Sequence, residues 1–335
     1  MPIRSLSLPP RKISGLNLDL TTLETVEQTN VNESKAVKIA RYDNICSRIT
    51  PSLYIGSDRI ARDLQELKKY KITHILNCAG TICDNYFPND FQYKTLYLFD
   101  SKEEDISCLF YDVLHFMDEA INNQGSVFVH CHQGISRSSA MLILYLMWRE
   151  DKPFQVIHEQ VKLLREVCNP NAGFTCQLLL WWNNHHPIEK SNNIIRMFHV
   201  TPHCKNSPQL FVLREIYSVS SSSFDPRGCF IVFNHSCTYI WRGNASPEFV
   251  FQKALENVAN LQKFEYAPEE VDIEHQGKES ASFKSLFTQK VQFDKEFTEN
   301  QNYNIYYDLL PLIPVDNTSD PPRRSRKRCQ STTTH

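Results

Sequence analysis

Residues 127–139, VFVHCHQGISRSS, decide the fold expected of this chain. An apolar run ends at His130 and Cys131, a short polar stretch leads to Arg137, and the apolar segment AMLILYLMW follows at 140–148. This pattern predicts a buried strand, a tight loop and a helix that begins near Arg137. Backbone N–H groups in such a loop, aided by the helix dipole, bind an anion. The stretch therefore predicts a phosphate-binding loop at the edge of an α/β sheet.

The residue types within this loop predict nucleophilic chemistry on the bound anion. A cysteine at the base of a positively polarised loop favours its thiolate, which is the attacking form. Arg137 offers a planar, permanently charged fork for two phosphate oxygens. Gly134 permits backbone angles that keep the N–H groups facing the anion. We therefore expect cleavage of a phosphate ester with Cys131 as the nucleophile.

Composition excludes several classes of protein. The 335 residues are 41% hydrophobic and carry a net charge of −2, which provides no global field for nucleic acid or a membrane. The longest apolar run is about half of what crosses a bilayer, and the N-terminus lacks the apolar centre of a signal peptide. Eleven cysteines without regular spacing suit a reducing compartment. We expect a soluble, cytoplasmic protein without membrane or nucleic-acid partners, with nuclear entry left open.

Two globular patterns follow one another along the chain. Strands and amphipathic helices alternate in the first, which predicts an α/β fold with a mostly parallel central sheet flanked by helices. The second combines strands with one amphipathic helix and predicts a smaller α+β domain. The expected organisation is a disordered segment at 1–41, a first domain at 42–186, a proline-broken linker at 187–207, a second domain at 208–314 and a basic disordered tail at 315–335.

Several motifs resemble known families. HCHQGISRS matches HCxxGxxR(S/T), and residues 42–186 resemble the cysteine-dependent dual-specificity phosphatases, a likeness also carried by ITPSLYIG, HILNCAG and NPNAGF. The segment DSKEEDIS is similar to one in MAP-kinase phosphatases. GCFIVF, YIWRG and GKESASFKSLF resemble a single gelsolin-like repeat. Plant-type MAP-kinase phosphatases join these two parts in this order.

The resemblance implies roles for particular residues in a two-step hydrolysis through a phosphocysteine. Asp100, which ends the predicted strand FQYKTLYLFD, would be the general acid and then the base. Asp105 is the alternative acid, although its position at a helix start fits a capping role better. Arg137 would bind phosphate and the transition state, and Ser138 would assist departure of the thiolate.

The remaining site residues are expected to act through the loop itself. His130 and Asn171 would support it. The phosphate-binding loop would comprise His132, Gln133, Gly134, Ile135, Ser136 and Arg137. The side chains expected to matter less are those of His132, Gln133, Ile135 and Ser136. No cofactor and no metal ligand are expected, so turnover should persist in the presence of a chelator.

The flanking segments indicate partners. RKISGLNLDL resembles a MAP-kinase docking motif, in which an extended peptide places leucines in pockets and bases on an acidic patch. The same alternation also fits an edge strand. The candidate docking residues are Arg11, Lys12, Leu16, Leu18 and Leu20. The tail sequence RRSRKR fits either a nuclear localisation signal or a solvated tail.

We therefore expect a protein-tyrosine/serine/threonine phosphatase that inactivates a phosphorylated MAP kinase. Actin or another protein is the expected partner of the gelsolin-like domain, and Arg227 and Gly228 stand where such a repeat often carries a calcium ligand. Two alternatives remain: a scaffold with weak catalysis, and a phosphatase acting on phosphoinositides or RNA 5′ phosphates. The loop lacks the lysines that lipid-directed relatives often carry, which favours a protein substrate.

Overall fold

The computed structural model describes residues 34–186, 195–217, 219 and 223–287. The candidate docking residues at 11–20 and the basic tail lie outside the described residues, as does the end of the second predicted domain, from 288 to 314. No helix within the described ranges is long and apolar enough to cross a membrane. The described residues form two five-stranded sheets with helices packed against them.

The first sheet has the strand order β1-β2-β5-β3-β4, in which only β1 pairs antiparallel. Its strands are β1 (Ser47–Thr50), β2 (Leu53–Gly56), β3 (His74–Asn77), β4 (Gln92–Thr95) and β5 (Val127–His130). Its helices are α1 (Lys35–Tyr42), α2 (Asp58–Ala61), α3 (Leu64–Lys69), α4 (Phe110–Asn122), α5 (Arg137–Glu150), α6 (Phe154–Leu164) and α7 (Ala172–His185), with a 3₁₀ turn at Ser107–Leu109.

The centre of this sheet positions the predicted loop. β5 lies between β2 and β3, and all four of its residues are buried. α5 begins at Arg137 and buries every residue from there to Met147, so its apolar sequence forms the middle of the core. Ligands of parallel sheets bind at the carboxyl ends of the strands, where β5 gives way to the loop. The predicted α/β fold with a mostly parallel sheet is confirmed.

The second sheet has the order β10-β9-β8-β6-β7 and is antiparallel except for the pair β10–β9. Its elements are β6 (Arg196–Cys204), β7 (Ser207–Glu215), β8 (Cys229–Phe233), β9 (Thr238–Arg242), α8 (Glu248–Glu265), β10 (Val271–His275) and α9 (Ala281–Ser285). The long helix α8 packs on the sheet through β8, β6 and β9. The predicted smaller α+β domain is confirmed.

Two of the predicted boundaries are wrong where the structure describes them. The linker predicted at 187–207 contains β6, an interior strand whose residues from Met197 to His203 are buried. Pro202 lies within this strand, but β8 pairs with β6 only as far as Val200. Because β8 does not extend beside Pro202, the missing N–H of this proline leaves no carbonyl group of β8 without a donor.

The disordered segment predicted at 1–41 ends earlier than expected, because α1 begins at Lys35. Ser34 caps this helix by accepting a hydrogen bond from the N–H of Val37 at 3.4 Å. Lys38 pairs with Glu166, which follows α6. The helix is thus held by tertiary contacts, which its polar sequence does not reveal.

The two sheets share one continuous core. Trp148 of α5 packs edge-on against Phe264 of α8 with ring centroids 5.1 Å apart, and Tyr111 of α4 packs against Phe198 of β6 at 5.9 Å. The side chain of Glu265, at the end of α8, is buried at this interface. It accepts hydrogen bonds from the first domain as well as from its own, so the two domains form a single packed unit.

Candidate active site

The loop between β5 and α5 has the tight geometry that its sequence predicts. Gly134 has a φ of +69°, and a Cβ there would lie 2.4 Å from the carbonyl oxygen of Gly56. Only glycine fits this position, because a side chain would meet both strain and a backbone collision. Ser139, in the first turn of α5, donates a hydrogen bond to the carbonyl oxygen of Ser136 at 2.9 Å. The loop is therefore closed onto the start of the helix.

Cys131 lies buried at the base of this loop. Ser138 Oγ donates a hydrogen bond to its Sγ at 3.2 Å. Burial alone would raise the pKa of the thiol, but the Ser138 hydroxyl, the charge of Arg137 and the N–H groups of Ser138 and Ile135 together lower this pKa below its ordinary value. A buried thiol with a lowered pKa is a nucleophile.

Arg137 spans the space between this loop and the segment that follows β4. Its Nη1 donates to the carbonyl oxygen of Leu98 at 3.2 Å, and its Nε lies 3.7 Å from Oδ2 of Asp100. The side chain is buried. A guanidinium held in this place can grip phosphate oxygens above the sulfur of Cys131 and carry a fixed positive charge there.

Asp100 lies beside the loop, but not at the end of a strand. β4 ends at Thr95, and Asp100 belongs to the irregular stretch at 96–106, which we call the acid loop. Its Oδ1 accepts hydrogen bonds from Ser136 Oγ at 2.6 Å and from Asn171 Nδ2 at 3.0 Å. The carboxylate is 39% exposed, so it can exchange protons with water.

Asp105, the alternative acid, is directed away from the nucleophile. Its Oδ1 accepts hydrogen bonds from the N–H of Ser107 at 3.1 Å and from its hydroxyl at 2.6 Å, as a residue at a helix start does. Its Oδ2 pairs with Arg214 of the second domain at 2.5 Å. The contacts of the two carboxylates favour Asp100 as the acid.

The hydroxyl of Ser136 contacts residues outside the phosphate loop. Its hydroxyl donates to Asp100 and accepts a hydrogen bond from the N–H of Asn171 at 3.1 Å. The Ser136 hydroxyl therefore makes contacts that the sequence did not predict, and its importance to the reaction stays a prediction. Asn171 also caps α7 by accepting from the N–H of Phe174 at 3.0 Å. Ser136 and Asn171 thus join the phosphate loop, the acid loop and α7.

His130 and the remaining loop residues have lesser contacts. His130 is buried and stacks on Phe128 with ring centroids 5.6 Å apart, and burial lowers its pKa to about 4. Its ring is therefore neutral beside Cys131 at physiological pH. His132 and Gln133 point to solvent, and the carbonyl oxygen of His132 accepts from the N–H of Asp58 at 3.0 Å.

Arg165 is a site residue that sequence reasoning missed. Its side chain is fully buried, and it donates hydrogen bonds to the carbonyl oxygens of Gln133 and Gly134 at 3.2 and 3.1 Å. Carbonyl groups drawn outward in this way leave the adjoining N–H groups facing the anion. The signal that could have found it is an arginine at the end of α6, just before NPNAGF.

The described residues offer no metal centre. Within them, no group of three or more His, Cys, Asp or Glu side chains is placed to hold a metal ion. Asp225, the acidic residue nearest the expected calcium position of the second domain, is engaged by Arg227, whose Nη2 lies 2.8 Å from its Oδ2. The arrangement around Cys131 provides a nucleophile, a guanidinium for the phosphate oxygens and a carboxylate for acid–base-assisted displacement at phosphorus.

The chain is similar in sequence to two known families. Residues 53–184 match the family described as dual specificity phosphatase, catalytic domain, and residues 211–284 match the gelsolin repeat. Protein-tyrosine-phosphatase MKP1 of Arabidopsis thaliana is 36% identical over 81% of this chain, which spans only 35% of that protein's length. Dual specificity protein phosphatase 1B of Arabidopsis thaliana is 35% identical over 46% of this chain and 92% of its own length. Among solved structures, the human tyrosine phosphatase-like serine/threonine/tyrosine-interacting protein has 32% identity and a TM-score of 0.39, covering 41% of this chain and 94% of its own.

Proposed function

Because the chain belongs to the dual-specificity phosphatase family, we propose that it hydrolyses phosphotyrosine and phosphoserine or phosphothreonine esters in proteins. One observation carries the proposal: the buried thiol of Cys131 has a lowered pKa, with Arg137 and Asp100 beside it. A packed structural cysteine would show the opposite shift, as Cys78 does, whose pKa burial raises.

The proposed reaction proceeds in two displacements. The Cys131 thiolate attacks phosphorus in line while the ester P–O bond breaks, and Asp100 gives its proton to the departing oxygen. Water then attacks the phosphocysteine, Asp100 takes the proton back, and the P–S bond breaks. Ser138 donates its hydrogen bond to the departing thiolate. Arg137 stabilises the charge that spreads over the equatorial oxygens in both steps.

We propose a phosphorylated MAP kinase as the substrate. The likeness to the Arabidopsis phosphatase MKP1 runs through both domains, and the docking sequence at 11–20 offers a kinase contact. The site rim supports a peptide rather than a lipid headgroup, because Phe99 beside the acid is 57% exposed and Ile82 is 51% exposed. Thr81 next to Ile82 donates to the carbonyl oxygen of Leu98 at 3.3 Å, which joins the segment after β3 to the acid loop.

A substrate trap tests this assignment. The variant Asp100→Ala with Cys131→Ser should retain a bound, uncleaved phosphoprotein, and we expect it to retain a doubly phosphorylated MAP kinase. Adding Leu16→Ala and Leu18→Ala should release the kinase if the docking sequence contributes. A trap that binds phosphoinositides or 5′-phosphorylated RNA in competition assays, and no phosphorylated kinase, would assign the chemistry to those substrates instead.

The scaffold alternative is separated by turnover itself. Cys131→Ser should abolish hydrolysis of an aryl phosphate, while Cys176→Ser, at an exposed cysteine of α7 away from the loop, should not. Equal rates for wild type and Cys131→Ser would leave the docking sequence and the second domain as the working parts. Activity should survive a chelator, because the proposed steps use only protein groups.

For the second domain we propose a protein partner, with actin as the first candidate because the domain matches a gelsolin repeat. Part of α8 is already covered, since Phe264 and Glu265 are buried against the first domain. Cosedimentation with filamentous actin and a pull-down with monomeric actin test this, and a chain that binds neither form would exclude actin.

We propose that the protein is cytoplasmic with access to the nucleus through the basic sequence at 323–328. A tagged chain in which that sequence is neutralised should be lost from the nucleus. An unchanged distribution would assign the sequence to a solvated tail.

A further inference from the structure

We infer that the second domain is part of the catalytic unit, because Arg214 of β7 holds the acid loop in place through Asp105. This inference rests on the proposed function of Asp100 as the general acid. It assigns a positioning role in catalysis to a residue that lies outside the match to the catalytic domain, which ends at residue 184.

The acid loop has little regular structure of its own. It runs irregularly from the end of β4 to the 3₁₀ turn at Ser107–Leu109. Its own domain holds it from one side: Gln177 of α7 accepts hydrogen bonds from the N–H groups of Ile106 and Ser107 at 2.8 and 2.9 Å. Gln177 also donates to the carbonyl oxygen of Glu104 at 2.8 Å. The acid loop is therefore attached to α7 at the end of the loop that leads into the 3₁₀ turn.

Arg214 holds the other side of the same loop. Its Nη1 pairs with Asp105 Oδ2 at 2.5 Å. Its remaining nitrogens are fixed by the neighbouring strand β6, with Nε 3.2 Å from Thr201 Oγ1 and Nη2 2.9 Å from the carbonyl oxygen of His203. The arginine side chain is only 15% exposed. The hydrogen bonds to β6 therefore hold the guanidinium in one position, and its pair with Asp105 positions the acid loop.

The interface between the two domains fixes the position of Arg214 relative to the first domain. Glu265 of α8 accepts hydrogen bonds from Tyr111 of α4 and from Arg196 of β6, and its Oε2 lies 2.9 Å from His185 Nε2 of α7. Separating the domains would leave this buried carboxylate without its partners from the first domain, which is strongly unfavourable. Arg214 therefore keeps a constant place relative to the catalytic core.

Arg214 pairs with Asp105 of the acid loop and is otherwise held by β6, so we assign it a positioning role. The carboxylate of Asp105 is 46% exposed, so the ion pair itself adds little to stability. Removing the charge of Asp105 should therefore leave the fold intact, because the contacts of Arg214 to β6 remain. The position of the acid is more sensitive, because a displacement of about 1 Å can cost up to about 100-fold in rate.

The dependence of kcat on the leaving group distinguishes a positioning role in catalysis from a merely structural role. Proton donation matters most for esters of weakly acidic phenols and alcohols, and little for esters of strongly acidic phenols. We expect Arg214→Ala to lower kcat about tenfold on phenyl phosphate and less than about twofold on a highly fluorinated aryl phosphate. Asp105→Asn, which removes the pair from the other side, should give the same pattern.

The matched control is Arg242→Ala. Arg242 lies in the same sheet and has comparable contacts, with Nη1 2.6 Å from Glu248 Oε2 and Nη2 3.3 Å from the carbonyl oxygen of Ser246, but it does not contact the acid loop. This variant should behave as wild type on both esters. The double variant Arg214→Ala, Asp105→Asn should be no slower than either single variant, since the two residues act through one contact.

Three results would overturn the inference. These are equal losses on both esters, additive losses in the double variant, or an Arg242→Ala variant that matches Arg214→Ala. A wild-type chain that hydrolyses neither ester would instead refute the proposed function. If Arg214→Ala failed to fold, Arg214→Gln would decide the question, because it keeps a long polar side chain beside β6, removes the charge and leaves Asp105, the alternative acid, unchanged.

Discussion

Replacing Arg165 with methionine should weaken the fold and loosen the phosphate loop at the same time. Methionine keeps a long side chain but removes the charge and all the donors. The guanidinium is fully buried and joins the phosphate loop to the chain ahead of β1. Its acceptors are the carbonyl oxygens of Tyr42, Ile45, Gln133 and Gly134 and the hydroxyl of Ser47, all at 3.0 to 3.2 Å.

The magnitude follows from two opposing effects. Each hydrogen bond to a charged group contributes about 1.5–3 kcal/mol, but burial of the guanidinium opposes this gain, and burial also lowers the pKa of Arg165. Methionine would leave buried carbonyl acceptors without donors, and each acceptor that stays buried and unpaired costs about 1–3 kcal/mol. Removing the guanidinium also removes its own cost of burial, so we expect the free energy of unfolding to fall by about 4 kcal/mol, a large share of the 5–15 kcal/mol that is typical of a domain.

Urea unfolding at neutral pH measures this change. The control is Arg62→Met, at a side chain that is 59% exposed, which should change the free energy of unfolding by about 1 kcal/mol or less. In the folded Arg165→Met protein, iodoacetamide should alkylate Cys131 more slowly at neutral pH than in wild type, because the N–H groups no longer converge on the sulfur. An unfolding free energy within about 1 kcal/mol of wild type would refute the bracing role of Arg165.

Three further variants test separate contacts. Ser138→Ala should shift the pH profile of Cys131 alkylation to higher pH, because the pKa of the thiol loses one of its lowering hydrogen bonds; an unshifted profile would contradict this. Ser136→Ala should slow phenyl phosphate hydrolysis about tenfold by freeing the candidate acid, with less effect on an activated ester; equal effects on both would argue against it. Glu265→Gln should lower the free energy of unfolding by about 3 kcal/mol at pH 6 in urea titrations. Despite burial, its partners hold the pKa of Glu265 below the ordinary 4.5, so its contribution is present above that pH and is lost as pH falls through the lowered pKa. Burial alone would lower the pKa of His185, but the carboxylate raises it above 6.5, so that contribution is full below 6.5 and is lost as pH rises through the raised pKa. The cost of Glu265→Gln should therefore be smaller at alkaline pH, and a cost independent of pH would refute the pairing.

The strand, loop and helix at 127–150 could be predicted because their signals are local. An apolar run, a glycine and a helical pattern stand next to one another in the sequence and fold into contact with one another. Ser136 and Arg165 could not be predicted in the same way. The partner of Ser136 is Asp100, and the partners of Arg165 include Tyr42, so their roles arise only when distant segments meet. Their roles could not be predicted because their partners lie far away in the sequence, not because of the residue types involved.

Strand β6 was missed for a related reason. Its proline and polar residues are typical of a linker, yet it lies between β7 and β8 in the interior of the second sheet. Pro202 is tolerated because β8 has already ended beside it. Pairing with neighbours overrides local propensity in strands more than in helices, and a single chain segment cannot reveal its neighbours.

The position of Asp100 shows why the whole chain is needed to describe this site. The carboxylate is partly exposed and lies in an irregular loop, a setting in which a side chain would ordinarily sample many positions. Ser136 and Arg137 of the phosphate loop and Asn171 at the start of α7 contact it directly. We infer that Arg214 of the second domain adds a further restraint through Asp105. Each contact alone adds little to stability, but together they place the proton donor beside the leaving oxygen. The Arg214→Ala variant keeps Cys131 and Arg137 and loses one of these contacts. Its nucleophile should therefore remain reactive while its rate on poor leaving groups falls.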